Sequence, residues 1–561
     1  MSKQLRLGVA CFALILNTTI SQAQQYPGYV LYSVQRSTTT YLMDTTSATY
    51  HSWSHSTADK TGYSSYLMPG GILWRSISHT GNSLNGGGMT GRVQKVDWDG
   101  TVLWDYTHSS STYCLHHDIC PLPNGNVLLI SYDVKSSSEV STAGSNYSGT
   151  VWSEKVMEVK PTGATTGTVV WEWKLWDHLV QDVDPNKANY QSSIVNHPEL
   201  MDVNHSVNKD WFHMNGIDYN PMLDQIALSS HNLDMWFIID HSTTTAEAAS
   251  HSGGNSGKGG DFLYRYGNPG SYDASGSTVL NVTHDAHWIP EFVPNAGRLV
   301  GFNNRGVSSN QSAIDQIDIP LNGYNYDITL GSAYSPSNYT ERHACNGYSS
   351  NMGNSVQLPN GNMLVCMSTS GLMYETDPSG TTIWSKTASG TVPQAQRYSE
   401  CYVTSDAAVI PEISMNGASL TTASATAYQW YLNGQPISGA TNQTYTPVEN
   451  GIYVVRVLDA KGCVYTYSTG FNYLFTGVDQ PLEQVDFTFY PNPTTGLVHI
   501  KDTRLSGKRF DLYVMDATGR KVLQNKNLYQ VDLSEYENGV YTIFIQPEGA
   551  QPVYERIVLT R

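Results

Sequence analysis

Positive charge is what this sequence has least of. Only 31 of its 561 residues are lysine or arginine, against 48 aspartates and glutamates, so the formal net charge is -17 and charged residues of all kinds make up 14%. A chain so short of cations repels phosphate backbones and anionic headgroups, which excludes nucleic acid and an electrostatically held membrane surface as partners. Long apolar runs are also missing beyond the N-terminus. No later stretch reaches the roughly 18–20 apolar residues that a spanning helix needs, so no transmembrane segment is expected. Cysteine is sparse, with seven in all, and the spacing matches neither a zinc ribbon nor a redox CxxC. Small molecules, glycans and other proteins remain as partners.

What is abundant points to β-structure. The 48 glycines and 37 tyrosines suit a turn-rich, all-β chain of the secreted kind, and the length predicts two to four domains. The N-terminus has Lys3 and Arg6, then an apolar run from Leu7 to Leu16, then small residues at Ser21 and Ala23. This predicts a signal peptide over 1–23, cleaved after Ala23. Its removal takes Cys11 with it and leaves six cysteines in an oxidising compartment, with Cys114 and Cys120 the most local candidates for a disulfide.

A hairpin recurs along the first 400 residues, built as a strand, a Pro-Asn-Gly-type turn and an apolar strand. It is seen at "SSYLMPGGILWRS" from Ser64, "HHDICPLPNGNVLLISYD" from His116, "FHMNGIDYNPMLDQIALSSHN" from Phe212, "HDAHWIPEFVPNAGRLVGFNNR" from His284 and "NMGNSVQLPNGNMLVCMS" from Asn351. A second hairpin follows, with Asp or Pro before glycine and an aromatic after it, as in "VQKVDWDGTVLWDY" from Val93 and "LMYETDPSGTTIWSK" from Leu372. Two hairpins make four strands, the content of a propeller blade. A sixth blade is expected from both ends of the repeat region, with outer strands within Gly28–Trp53 and the inner strand within "RYSECYVTS", Arg397–Ser405. Residues 24–405 therefore read as a six-bladed β-propeller. Two small β-sandwich domains follow it. One, over 406–478, is immunoglobulin-like around Trp430; the other spans 485–561.

Propeller topology turns the repeat into a prediction about a site. In each blade the start of the first strand and the end of the second lie together at one mouth of the central channel. Strand starts contribute His116, His117 and Asp118, then His213 and Asn215, then His284, Asp285 and His287; strand ends contribute Arg75, Tyr132, His231, Asn232, Asn304 and Arg305. Imidazoles at one mouth suit acid–base or nucleophilic chemistry near neutral pH.

Two resemblances attach to these motifs. "DWFHMNGIDYNPMLDQIALSSHNLDMWFIID" (Asp210–Asp240), "HDAHWIPEFVPNAGRLVGFNNRG" and the two "LPNGN" hairpins resemble blades of the bacterial arylsulfate sulfotransferases. "FTFYPNPTTGLVHI" (Phe487–Ile500), "DLYVMDATGRKVL" (Asp511–Leu523) and "LSEYENGVYTIFI" (Leu533–Ile545) resemble the C-terminal sorting domain of the type IX secretion system. The second resemblance implies export across the outer membrane by that machinery, with secretion or display at the cell surface.

The first resemblance implies sulfuryl transfer from an aryl sulfate to a phenol through a histidine, with no cofactor and no metal. It puts His213, His117, His284 and His287 forward as catalytic groups, and His116, His231, Asn304, Arg305 and Arg75 as substrate-binding ones. The chain departs from the family pattern at Ser229–His231, where Ser-Ser-Arg is usual, at Ala313, where an arginine is expected, and in blade five, where "CMSTSGLMYE" (Cys366–Glu375) has no histidine for the family's nucleophile. Two other chemistries stay open from the residues alone. One is a non-catalytic surface propeller that binds a small anionic or glycan ligand; the other is a metal site of His116, His117, His284, His287 and nearby carboxylates.

Overall fold

A computed structural model describes residues 24–78, 82–474, 487–502, 509–516, 520–547 and 553–561. The signal peptide expected at 1–23 lies outside the described residues. Among the rest, six antiparallel four-stranded sheets form the blades of a propeller. The innermost strands of blades one to five are Thr61–Met68, Tyr113–Pro121, Met214–Asn220, Thr283–Trp288 and Asn354–Gln357. Each is the first strand of one of the recurring hairpins.

The packing follows from the period of two along a strand. In the second strand of blade two, Val127 and Leu129 join a cluster with Trp74 and Val93 of blade one, while Leu128 and Ile130 join a cluster with Ile217 and Ile226 of blade three. Blade six repeats the pattern: Leu31 packs with Leu67 and Leu73 of blade one, and Val30 with Leu364 and Cys366 of blade five. Both faces of every sheet are thus buried against a neighbouring sheet. Tryptophans of the outer strands add a hydrogen bond at several of the interfaces. Trp53 Nε1 donates to Asp97 O, Trp104 Nε1 to Thr166 O and Trp384 Nε1 to Ser47 Oγ, each in the following blade. This is the physical role of the aromatic that recurs after the glycine turn.

Closure of the ring follows the expected scheme with one correction. The inner strand of blade six is Ala395–Tyr398, which pairs antiparallel with Tyr29–Ser33 through Val30↔Arg397 and Leu31↔Gln396. The rest of the predicted segment is not strand. Ser399 caps a short helix, Glu400–Val403, by accepting from Tyr402 N–H, so the chain turns away from the channel after Tyr398. Arg397 reinforces the seam: its guanidinium donates to Tyr26 O and lies 3.5 Å from Glu375, with both side chains fully buried.

The next 70 residues form two small sheets around a fully buried Trp430, whose Nε1 donates to Asn442 O at 2.9 Å. Glu291 of the propeller pairs with Arg456 and accepts from Tyr431 Oη, and Phe292 stacks on Tyr465 at 4.2 Å, so this module is docked against blade four. The C-terminal unit has its own core, with Leu512, Val514, Ile543 and Ile557 buried between the sheets Phe487–Tyr490, Leu497–Asp502, Gln530–Asp532 and Lys521–Lys526, Phe510–Met515, Gly539–Pro547, Val553–Leu559.

The disulfide expected between Cys114 and Cys120 is not formed, and both thiols are free. The two residues lie on the single strand Tyr113–Pro121. Six residues of extended chain span about 20 Å, whereas a disulfide needs Cα atoms within about 7 Å. The bond instead joins Cys401 to Cys463, tying the closing helix to the small two-sheet module across 62 residues of chain. In the loop-closure picture a bridge of that span contributes about 4 kcal/mol. Non-reducing peptide mapping should therefore give one cross-linked pair, Cys401 with Cys463, and free thiols at Cys114, Cys120, Cys345 and Cys366. Replacing both Cys401 and Cys463 by serine should lower stability by about 4 kcal/mol, read by denaturant unfolding.

Candidate active site

The inner strands of blades one to four are broken by bulges. Register shifts fall between Thr61 and Ser65, Leu115 and Ile119, Met214 and Gly216, and His284 and His287. At or beside such breaks, non-glycine residues take left-handed backbone: His117 at φ 50°, His213 at φ 51° and Asp285 at φ 59°. That conformation disfavours an L-residue by about 1–2 kcal/mol, and bulges re-aim side chains where a site needs them. Here they bring imidazoles from three blades into one group. Glycine completes the fit, since a Cβ on Gly88 would lie 2.0 Å from the His117 ring and one on Gly87 would lie 2.3 Å from His213 Cε1.

The rings form a continuous chain. Centroids of His117 and His213 are 4.8 Å apart, those of His213 and His231 are 5.1 Å apart, and those of His231 and His284 are 5.6 Å apart. Behind His117, His116 Nδ1 lies 3.0 Å from His117 Nδ1, and His116 Nε2 lies 2.8 Å from Glu154 Oε2, with both of those side chains fully buried. The other carboxyl oxygen, Glu154 Oε1, accepts from Met214 N–H at 2.9 Å. The result is a line of hydrogen-bonding groups from Glu154 through His116 to His117.

Partners on the other side of each ring set its tautomer. His213 Nδ1 lies 2.8 Å from Asp210 Oδ2, and the carboxylate accepts its proton. Asn232 donates to Asp210 O, which leaves its amide oxygen to accept from His231 Nδ1–H at 2.7 Å. In its neutral form each of these rings therefore presents an unprotonated Nε2. His284 is different. Asn304 donates to Ser349 O and Met352 O and accepts from His284 Nδ1–H at 2.7 Å, while His284 Nε2 accepts from Met352 N–H at 3.1 Å. Both of its ring nitrogens are engaged by the protein, so it has none to offer a substrate.

Burial governs the charge states. It pushes His116 and His284 down to about 3 and His117 well below the usual imidazole range, with neighbouring histidines adding to the effect on His117. Burial also raises Glu154 far above the usual carboxyl range. The 2.8 Å contact between Glu154 and His116 is thus a neutral hydrogen bond from a carboxylic acid rather than an ion pair. Asp210 is buried too, but the bond from His213 outweighs that and holds it below its ordinary value. One carboxyl stays ionised beside His213, and the other keeps its proton at the far end of the His117 line.

Deeper in the channel the lining turns acidic. A cavity of about 20 Å³ lies between His117, Asp118, Asn215, His284, Asp285 and Gln394, room for roughly one water. A sulfate-sized group does not fit there. Asp118 accepts from Tyr66 Oη at 2.9 Å and Gln394 Nε2 at 3.0 Å, and burial followed by Asp285 raises it to about 7. His287 sits beyond this point, 3.2 Å from Asp285. Burial works against its charge, but Asp285 and Asp218 overcome that and lift it to about 9.

The predicted residues accordingly divide. His117, His213 and His231 share the mouth, with His116 behind them and Asn304 supporting His284. Arg305 is exposed and donates from Nε to Tyr348 Oη at 3.3 Å. His287 belongs to the acidic segment. Arg75 is not at the mouth at all: it is buried in blade one, donating to Asp59 O at 2.9 Å and Gln94 Oε1 at 2.6 Å. It is the middle residue of the strand Ile72–Ser78 rather than its end. No histidine takes the blade-five position, where Met367 is followed by a 3-10 turn over Ser368–Ser370; the nearby His343 is on the outermost strand of blade four, bonded to Tyr374. Glu154 and the Gly87–Gly88 platform lie outside the strand starts and ends that the repeat singles out. An acid inside the apolar strand "VWSEKVMEV" and the triple glycine at 86–88 were the signals for them.

A six-bladed propeller whose channel mouth gathers histidines from three blades, followed by a small β-sandwich module and a C-terminal sorting unit, defines a class of exported β-propeller proteins. The chain matches the arylsulfotransferase (ASST) family over residues 17–408 and belongs to it. Residues 488–560 match the secretion system C-terminal sorting domain, of the type IX kind, which marks the protein for secretion or cell-surface display. Among the described residues no helix is long and apolar enough to cross a membrane. No curated protein sequence matches the chain.

Similar solved structures include a protein of unknown function from Bacteroides caccae (11% identity, 66% of this chain and 98% of that one, TM-score 0.38). Others are the calcium-binding protein regucalcin from Agrobacterium tumefaciens (8%, 61% and 83%, TM-score 0.30) and apo AztD from Citrobacter koseri (10%, 80% and 97%, TM-score 0.28). The likeness is remote, and nothing about the chemistry of this chain follows from it.

The uncharged imidazoles make stability depend on pH with a definite sign. The unfolded chain binds a proton on each near 6.5, whereas the folded chain excludes it from His116 and His284 down to about 3. Stability therefore falls as pH drops through that window, by about 2 kcal/mol per group between pH 7 and pH 5. Denaturant unfolding at the two pH values should show this loss reduced by about 2 kcal/mol in His284→Asn, whatever that substitution does to stability at pH 7.

Proposed function

We propose that this member of the family transfers a sulfuryl group from an aryl sulfate to a phenol, with His213 as nucleophile and His117 as the proton-transfer group. The observation that carries the reading is the pairing of His213 with an ionised Asp210, set beside a His117 that leads back to a protonated Glu154. His213 Nε2 attacks sulfur, the S–N bond forms and the bond from sulfur to the phenolic oxygen breaks. The resulting sulfo-imidazolium keeps its Nδ1–H, and Asp210 stabilises the positive ring.

The leaving phenolate takes a proton from His117 Nε2. His117 is replenished at Nδ1 from His116 Nδ1–H, and His116 at Nε2 from Glu154. The acceptor phenol then returns a proton along the same line as its oxygen attacks sulfur, so each half-reaction reverses the other. His231 stands where the family usually has arginine; with Nδ1–H held by Asn232, it takes up a proton with the anionic substrate and donates from Nε2 to a sulfuryl oxygen. Arg305 supplies fixed positive charge at the rim. In this scheme His284 positions the mouth through Met352 and Asn304, and the missing blade-five histidine is replaced by one from blade three.

The test is turnover of 4-nitrophenyl sulfate with a phenol acceptor by the purified full chain. Release of 4-nitrophenol should fall to background in His213→Ala, and by roughly 10²–10⁴ in kcat in His117→Ala. Equal turnover in His213→Ala overturns the assignment. Absence of turnover in the parent protein, with 4-nitrophenyl sulfate bound in a His213-dependent way, replaces it with the binding-only reading.

A further inference from the structure

A second cluster of ligating groups lies outside the channel. His178 follows the 3-10 turn Leu175–Asp177 that leaves blade two, and His251 and Asp261 belong to the insertion between Met235–Asp240 and Tyr264–Tyr266 of blade three. His178 Nδ1 lies 2.8 Å from Asp261 Oδ1, and His251 Nδ1 lies 2.7 Å from the same oxygen. Among the described residues this is the one set of three histidine, cysteine or carboxylate groups whose ligand atoms converge. The channel imidazoles do not converge in this way.

The surroundings of His178 fix how it can act. Its Nε2 lies 2.8 Å from Ala248 O, and a carbonyl only accepts, so Nε2 carries the proton. In a neutral ring Nδ1 is then a lone pair aimed at a carboxylate oxygen 2.8 Å away. Such a contact repels unless a proton or a metal ion stands between the two atoms. A ring that gives N–H to a backbone carbonyl and its other nitrogen to a shared centre is the arrangement that metal-binding histidines adopt.

The position is also built. His178 is fully buried and Asp261 nearly so, His178 stacks on Trp173 with planes 4° apart, and Trp173 Nε1 donates to Gly260 O. Gly260 has to be glycine here, because a Cβ would lie 2.0 Å from Ala248 O and 2.6 Å from His178 Nε2. His251, by contrast, is 62% exposed.

We propose that His178 Nδ1, His251 Nδ1 and Asp261 Oδ1 bind one Zn²⁺, with solvent in the remaining position. Two imidazoles and a carboxylate are a borderline donor set that suits this ion, and bond lengths near 2.0–2.2 Å ask for ligand atoms about 3.3 Å apart in a tetrahedron. The observed separations need to widen by about half an ångström; the exposed His251 can swing back from Asp261, and the buried His178–Asp261 pair has to open by a small shift of the carboxylate. The ion would fasten the insertion, including the capped helix Thr245–Ala248, to the turn that leaves blade two. It stands apart from the proposed sulfuryl chemistry.

The experiment is calorimetric titration of the chelator-treated full chain with ZnCl₂, alongside His251→Ala and His213→Ala with His231→Ala. The parent protein and the channel variant should each bind one tight equivalent, and His251→Ala should weaken it by at least about 100-fold. Zinc should raise the melting temperature of the parent protein and leave that of His251→Ala unchanged. His251 is on the surface, so its variant is expected to fold, which circular dichroism checks directly. No tight equivalent in the parent protein would mean that the three groups form a proton-bridged ion pair only. Loss in the channel variant with retention in His251→Ala would put the metal in the channel. Either result overturns the proposal.

Discussion

Everything at the channel mouth depends on the pairing of Ala395–Tyr398 with Tyr29–Ser33. The imidazoles come from blades two, three and four, and they meet only if the six sheets are held in a closed ring. The closing strand does more than seal an edge that would otherwise pair with another chain. Gln394, the residue before it, donates to Asp118 across the channel, and Arg397 joins Tyr26 to Glu375 behind it. Cys401, just beyond, carries the disulfide that ties the seam to the next module. The contact that completes the fold is thus also one that braces the lining of the site.

Within that ring, burial decides the chemistry. Histidine in water is half protonated near neutral pH, but here desolvation strips the charge from His116, His117 and His284. The same desolvation keeps a proton on Glu154, while Asp210, no less in need of solvent, stays ionised because His213 donates to it. Two carboxyl groups a few residues' reach from the same pair of imidazoles are driven to opposite protonation states. Separation of that kind distinguishes a group that stores a proton from one that stabilises a positive ring. The left-handed backbone at His117 and His213 is the local strain that accompanies this placement.

Much of this was legible in the residues. Alternating apolar positions flanking Pro-Asn-Gly turns specify two-faced strands, and a recurring aromatic marks the outer hairpin, so five sheets and their inner strands follow from repetition, while the sixth came from the two ends of the repeat region with its inner strand placed a few residues too late. Topology then placed His117, His213 and His231 at one mouth without any structure. What could not be read was which partner each ring finds. That depends on residues such as Glu154 and Met352, whose side chain or amide reaches the site only through three-dimensional packing. The same limit explains Arg75, which the repeat put at a strand end but the sheet buries, and Cys114 with Cys120, near in sequence yet held apart by the extended strand. It also explains His284, whose two nitrogens are spoken for by Asn304 and Met352.

Membership of the arylsulfotransferase family and the absence of a blade-five histidine pull in different directions, and the proposed nucleophile at His213 would reconcile them. The most direct measurement is the mass of the His213 peptide after the full chain is mixed with 4-nitrophenyl sulfate, without acceptor, and quenched. The account predicts one added SO₃ group on His213 that disappears when a phenol is supplied. A sulfuryl group on His117 or His231 instead, or release of 4-nitrophenol with no modified histidine, would contradict it.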